Sequence, residues 1–236
     1  MKATDALAAD LHRFDSRAAL AEALSASVAD ALRTAIAERG QALLAVSGGS
    51  TPKLFFDALS RQPLDWSKVT VTLVDERWVE RDNDRANAGL VASLLLRNDA
   101  GTARFVDLYL PGMAIDDAAP VLDTTIKALG APDAVVLGMG ADGHTASFFP
   151  GGDGLAAATD PDTGAAVAIV QAAAAGEPRV TLTLPVLLGA GLLALHIEGE
   201  EKRRVLEEAL AAGAADELPI RHVLRNRSDL QIYWAP

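Results

Sequence analysis

The sequence predicts an α/β fold with a mostly parallel sheet. Three observations carry that expectation. Short apolar or β-branched runs, such as Val69 to Val74, alternate with amphipathic stretches along the chain. The runs at 42–46 and 134–137 contain no polar residue, as strands covered by helices on both faces require. Unusual loops at 47–52, 75–87 and 138–150 follow three of these runs directly, on the edge where open parallel sheets bind ligands.

Asp15 or Ser16 can cap a first helix that runs to about Arg39. Leu20, Leu24, Val28, Leu32 and Ile36 recur along it every fourth residue, and Gly40 ends it. A strand at 42–46 leads through a glycine loop to a helix from about Pro52, a residue well placed in a first turn because its missing N–H would be unpaired there. The strand 69–74 ends in the polar loop DERWVERDNDRAN. Helices are expected at 88–97 and 118–129, with strands at 105–110 and 134–137. Further strands are expected at 166–171 and 192–197, then a helix at 200–212 and a closing strand at 229–234.

The 236 residues, half of them hydrophobic, suffice for a substantial core, and the chain reads as one domain over 1–236 with no repeat or low-complexity tract. Cysteine is absent. That excludes disulfides, a thiol nucleophile and thiolate metal sites, and suits a reducing, cytoplasmic setting. Asp5 and Asp10 stand where a secretion signal would need an apolar run. The uncharged stretch 180–197 has nearly the length of a membrane span, but Pro185, Gly189 and Gly191 interrupt it. It reads as a buried helix followed by a buried strand. A net charge of −11 argues against nucleic acid as a partner. A small anion remains possible if basic groups and N–H donors cluster locally.

The three loops supply such a cluster. In Ser47-Gly48-Gly49-Ser50-Thr51-Pro52, glycines let the backbone approach a ligand and hydroxyls add donors beside a helix start. This is an anion cradle, most naturally for phosphate, although a tight turn with Ser50 or Thr51 as a helix cap fits the same residues. It has neither Walker nor nucleophile-elbow spacing. Arg77 can bind a carboxylate or a developing oxyanion, oriented by Asp75 or Glu76; Trp78 reads as packing. In Gly138-Met139-Gly140-Ala141-Asp142-Gly143-His144-Thr145, Gly140 and Gly143 permit close approach. His144 is the natural general base, with Asp142 or another carboxylate fixing its tautomer. Two ligands at Asp-x-His spacing argue only weakly for metal, and none is assigned. His12, His196 and His222 read as structural. Arg179 and Lys202 are cations that either serve a ligand or form surface pairs.

SGGSTPKLF, VDERWV, GMGADGHTASFFPG, PRVTLTLPVL and GEEKRRVLEEAL stand in the order and approximate spacing of the bacterial 6-phosphogluconolactonases. The chain resembles that family over about residues 40 to 210. The resemblance implies a three-layer α/β/α fold with a Rossmann-like sheet of the sugar-phosphate isomerase/deaminase type. It implies hydrolysis of 6-phospho-D-glucono-1,5-lactone in the oxidative pentose phosphate pathway, without metal or organic cofactor. Gly48, Gly49, Ser50 and Thr51, with Ser47, Arg179 and Lys202, would then hold the phosphate, while His144, Arg77, Asp75 and Asp142 serve the chemistry. Asn87 is a further possible ligand group.

The related glucosamine-6-phosphate deaminases carry an Asn-Glu pair after the His loop, where this chain has Phe148 and Phe149. Phenylalanine cannot transfer a proton, which favours the lactonase over a deaminase or isomerase; a non-catalytic sugar-phosphate sensor ranks last, since no DNA-binding segment is visible in the sequence. One departure stands out. The lactonases often carry Ser-Asn or Ser-Thr where this chain has Ala86-Asn87, so any polar contact from position 86 is lost.

Overall fold

A computed structural model describes residues 11–236; the acidic N-terminal stretch, read above as carrying no secretion signal, lies outside the described residues. The strands are β1 (Leu11–Arg13), β2 (Ala42–Val46), β3 (Val69–Leu73), β4 (Asp75–Arg77), β5 (Arg104–Val106), β6 (Ala134–Leu137), β7 (Val167–Val170), β8 (Arg179–Leu182), β9 (Leu192–Glu198) and β10 (Gln231–Ala235). The helices are α1 (Arg17–Arg39), α2 (Lys53–Leu59), α3 (Asn87–Leu94), α4 (Ile115–Leu129), α5 (Leu155–Thr159), α6 (Leu184–Leu188), α7 (Glu200–Leu210) and α8 (Ile220–Asn226).

Seven strands form one sheet in the order β1-β10-β9-β6-β2-β3-β5, and every pairing in it is parallel. Strands β2 and β6 are buried along their whole length, which explains their lack of polar residues. The order reverses at β2, which has β3 on one side and β6 on the other. The crevice between the loops after β2 and β6 therefore opens at a topological switch point.

Helix α1 begins where the Ser16 side chain accepts the Ala19 N–H at 3.2 Å, and ends at Gly40, which takes φ 76°. Leu20, Leu24, Val28 and Leu32 are fully buried, but Ala35 replaces Ile36 at the end of the stripe. Each four-residue step turns the face by about 40°, so a strict i+4 series leaves the buried side after a few turns.

Several expectations change. The segment read as a polar loop after β3 begins with β4, which pairs antiparallel with β8 in a second sheet of order β4-β8-β7. The strand expected at 166–171 is β7 of this small sheet, outside the parallel one. The stretch 180–197 is strand, short helix and strand, since Leu182 N–H reaches back to the Val74 carbonyl at 2.8 Å and extends β8. Helix α4 starts earlier than expected, at Ile115, with Asp116 and Asp117 in a first turn that favours acids, and it keeps Pro120 inside. Among the described residues no helix is long and apolar enough to cross a membrane.

Leu44 is fully buried at the centre of β2, paired with Val71 on one side and Ala134 on the other. Leu44→Ala is expected to lower the unfolding free energy by about 2–5 kcal/mol, measured by urea denaturation at unchanged m-value.

Candidate active site

The loops after β2, β3 and β6 meet around a cavity of about 280 Å³. Ser47, Gly48, Gly49, Ser50, Thr51, Asp75, Arg77, Asn87, Gly140, His144, Arg179 and Lys202 all line it. Asp142 and Gly143 do not: Asp142 stands behind His144, and Gly143 lies at a turn where an added Cβ would come 2.6 Å from Leu218 Cδ2. The close approach read for Gly143 is thus to the 218–220 segment, whose Ile220 N–H donates to the Gly143 carbonyl at 2.9 Å.

At one end sits the glycine loop. Among the described residues the N–H groups of Gly48, Gly49, Ser50 and Thr51 donate to no protein acceptor. The following helix α2 has only seven residues, so these individual N–H groups matter more than its macrodipole. Lys202 Nζ donates to Thr51 Oγ1 at 3.0 Å, and burial pushes its ammonium below the ordinary value despite Glu198 and Glu201 nearby. Ser47 serves differently from its neighbours: its Oγ accepts the Gly138 N–H at 3.3 Å and ties the first loop to the third.

Gly48 is required by a side chain. A Cβ there would overlap the carboxamide of Asn87. Asn87 Nδ2 donates to the Asp75 carbonyl at 2.8 Å, and its Oδ1 accepts from Arg77 Nη1 at 2.8 Å. Arg77 Nη1 also donates to the Arg85 carbonyl at 2.6 Å, while its Nε is buried without a protein partner.

Arg77 and Arg179 stand directly opposite one another in the β4–β8 ladder. Like charges in that register repel. Asp75 Oδ2, 3.9 Å from Arg179 Nη1, and Glu177, 2.8 Å from Arg85, offset part of this. Burial still holds the Arg179 guanidinium below its usual range. Its Nη2 donates to the Ala175 carbonyl at 2.9 Å, and its plane lies 5.4 Å from the centre of the Phe149 ring. A cluster of cations in a chain of net charge −11 is the local exception that an anion site needs.

His144 Nδ1 lies 2.5 Å from Asp142 Oδ1. That contact assigns the proton to Nδ1 and leaves the Nε2 lone pair as the ring's proton acceptor. The bond with His144 holds the Asp142 carboxyl below its ordinary range, against some desolvation. The imidazole rests 4.5 Å from the Phe149 ring, and a Cβ on Gly140 would overlap its Nδ1 edge, so glycine at 140 makes room for the histidine itself. Ala146, two residues on, takes φ 51°, a conformation costly for a residue with a side chain. Thr145 Oγ1 helps hold it by donating to the Gly138 carbonyl at 2.8 Å.

Other contributors were not read from the sequence. Ser147 Oγ donates to Asp75 Oδ2 at 2.6 Å and fixes the carboxylate in the wall. Phe149 lines the cavity. His196, read as structural, is buried within β9 yet reaches the cavity, its Nε2 3.2 Å from Glu198 Oε1. Its position near the carboxyl end of a parallel strand was the available signal. Trp78 stays outside the lining and packs edge-on against Tyr109 at 4.8 Å.

Glu76 is fully buried beneath this wall. Burial pushes its carboxyl up to about 7, against the N–H groups of Asn87, Ala88 and Arg77 that favour the charged form.

Comparison with known proteins gives a consistent set. The model of the family described as glucosamine-6-phosphate isomerases/6-phosphogluconolactonase matches residues 15–234. The chain is 56% identical to a 6-phosphogluconolactonase of Rhizobium meliloti, covering 98% of this chain and 100% of that one. It is 45% identical to a 6-phosphogluconolactonase of Pseudomonas aeruginosa, over 96% of this chain and 94% of that one. A crystal structure of a 6-phosphogluconolactonase from Shewanella baltica superposes with a TM-score of 0.92 at 38% identity, covering 96% of this chain and 97% of the other. A monomeric glucosamine-6-phosphate deaminase, at 16% identity and a TM-score of 0.79, shares the fold.

Between pH 4.5 and about 7 the folded protein keeps a proton on Glu76 that the unfolded chain has released. That contribution is complete below the unfolded value and is lost as pH rises through the folded one. The stability of the wild type relative to Glu76→Gln is therefore expected to fall across this window, read as urea unfolding free energies at several pH values. A difference that does not change with pH would show that the carboxyl is not raised.

Proposed function

The chain belongs to the glucosamine-6-phosphate isomerase/6-phosphogluconolactonase family, and we propose that its cavity hydrolyses 6-phospho-D-glucono-1,5-lactone to 6-phosphogluconate with His144 as the general base. The observation that carries this reading is the placement of the Asp142-held imidazole on the same cavity as the Thr51–Lys202 anion cradle. The first is a base, the second a remote anchor for the phosphate.

The phosphate is held by the N–H groups and hydroxyls of the 48–51 loop and by Lys202, with Arg179 adding positive potential. Fixing it there positions the lactone ring, so binding energy from a non-reacting group is used to orient the reacting one. His144 Nε2 takes a proton from water as the water oxygen bonds to C1. The carbonyl electrons move to oxygen, and Arg77 with nearby loop N–H groups stabilises that charge. When the tetrahedral intermediate collapses, the C1–ring-oxygen bond breaks and His144 returns its proton to the departing oxygen. The product acid then ionises in water. Asp142 keeps the imidazole in the tautomer this sequence needs. The whole chain serves as one catalytic domain, and its cysteine-free composition suits the cytoplasm.

Deamination or aldose–ketose isomerisation on the same fold requires a proton carrier where Phe148 and Phe149 stand. Phe149 instead packs against the His144 ring. The site is built for acyl transfer to water.

His144→Ala is expected to lower kcat by about 10²- to 10⁴-fold, the usual worth of general acid–base catalysis. Lys202→Met is expected to act mainly on KM, raising it by about ten- to a hundredfold, as loss of one charge-assisted hydrogen bond implies. Both are read as base uptake in a pH-stat after subtraction of spontaneous hydrolysis. Unchanged hydrolysis in His144→Ala would remove the histidine from the mechanism.

A further inference from the structure

The fully buried Glu76 takes no place in the mechanism above and does not line the cavity, yet its carboxylate accepts three backbone hydrogen bonds. Oε1 accepts the Arg77 N–H at 2.7 Å and the Asn87 N–H at 2.8 Å, and Oε2 accepts the Ala88 N–H at 2.7 Å. These donors come from two segments, β4 and the start of α3, so one side chain joins them.

The second segment needs that acceptor. Asn87 and Ala88 supply the first two N–H groups of α3, and the residue at its N-cap, Ala86, offers no side-chain oxygen. The cap comes instead from a carboxylate across the loop. What it holds in place is the pair that forms the cavity wall. Asn87 meets Arg77 through Oδ1, the Asp75 carbonyl through Nδ2, and Gly48 by direct packing. A small rotation of the Asn87 backbone would move the guanidinium's partner and the floor of the glycine loop together.

We propose that Glu76 is a positioning residue for lactone hydrolysis, acting through Asn87 to hold the Arg77 guanidinium where the oxyanion forms. The inference rests on the role given to Arg77 under Proposed function. The carboxylate is suited to the task because three N–H groups converge on its two oxygens in a fully buried position. Glutamine has the same shape but turns an amide N–H₂ toward at least one of those donors.

The test is a double-mutant cycle at pH 8, where Glu76 is mostly ionised, on variants whose folding is checked by thermal unfolding. In the wild-type background Glu76→Gln is expected to lower kcat by about tenfold or more while KM moves by less than about threefold. In an Arg77→Met background the same change is expected to lower kcat by less than about threefold, because the group it positions is gone. Equal losses in both backgrounds would overturn the inference and leave the role of Arg77 intact. A wild-type kcat in Arg77→Met alone would instead overturn the oxyanion assignment, and the positioning role with it. Glu76→Asp, which keeps the charge, repeats the cycle if the glutamine variant does not fold. Failure of both to fold would make the carboxylate a scaffold group and overturn the inference.

Discussion

Parallel pairing is the constraint on which this site depends. In a sheet whose strands all run one way, every carboxyl end reaches the same edge, and every loop leaving a strand begins there. The chain therefore needs no special device to bring its anion cradle, its arginine and its histidine together. It needs only to place them directly after β2, β3 and β6, which are neighbours in the sheet. Reversal of strand order at β2 then opens the crevice between the first and third loops. Strand β9 ends on the same edge and delivers Lys202 from the following helix.

The second sheet answers a different need. An anion site in an acidic protein requires concentrated positive charge, and concentrated charge repels itself. Pairing β4 with β8 sets Arg77 against Arg179, and Arg85 lies close to both. Asp75 and Glu177 offset the repulsion without cancelling it. Among the described residues Asp75 is the one carboxylate residue in the lining, against Arg77, Arg179 and Lys202, so the balance at the cavity stays positive. An anion held in the proposed cradle would relieve part of that repulsion.

Much of this was legible in the residues, and the pattern of what was not has physical causes. Loop composition pointed to residues 47–51, to Arg77 and to His144, and all of them line the one cavity, although a tight turn with a helix cap fitted the same glycine loop. Asp142 as the partner of His144 was legible as one of two alternatives, since the two residues stand two apart in one tight loop. The β4–β8 ladder was not legible. Each strand is three or four residues long, and the partners are about a hundred positions apart, so no local period exists to detect. Glycine was read as making room for ligand, whereas Gly48 yields to Asn87 and Gly140 to His144. Sequence shows that space is needed at a position, but not which atoms fill it. The loss of a hydroxyl at Ala86 was visible, but the compensation was not, because the capping carboxylate arrives from Glu76, ten residues earlier and on another element.

The most direct measurement is the enzyme's rate with freshly generated 6-phosphogluconolactone against its rate with unphosphorylated gluconolactone, each followed by base uptake in a pH-stat and corrected for spontaneous ring opening. A remote phosphate that orients the lactone for His144 is expected to yield strong acceleration of the phosphorylated substrate and little of the other, with inorganic phosphate inhibiting the former. Equal acceleration of both lactones would contradict the division of the cavity into anchor and reacting centre, and no acceleration of either would contradict the reaction itself.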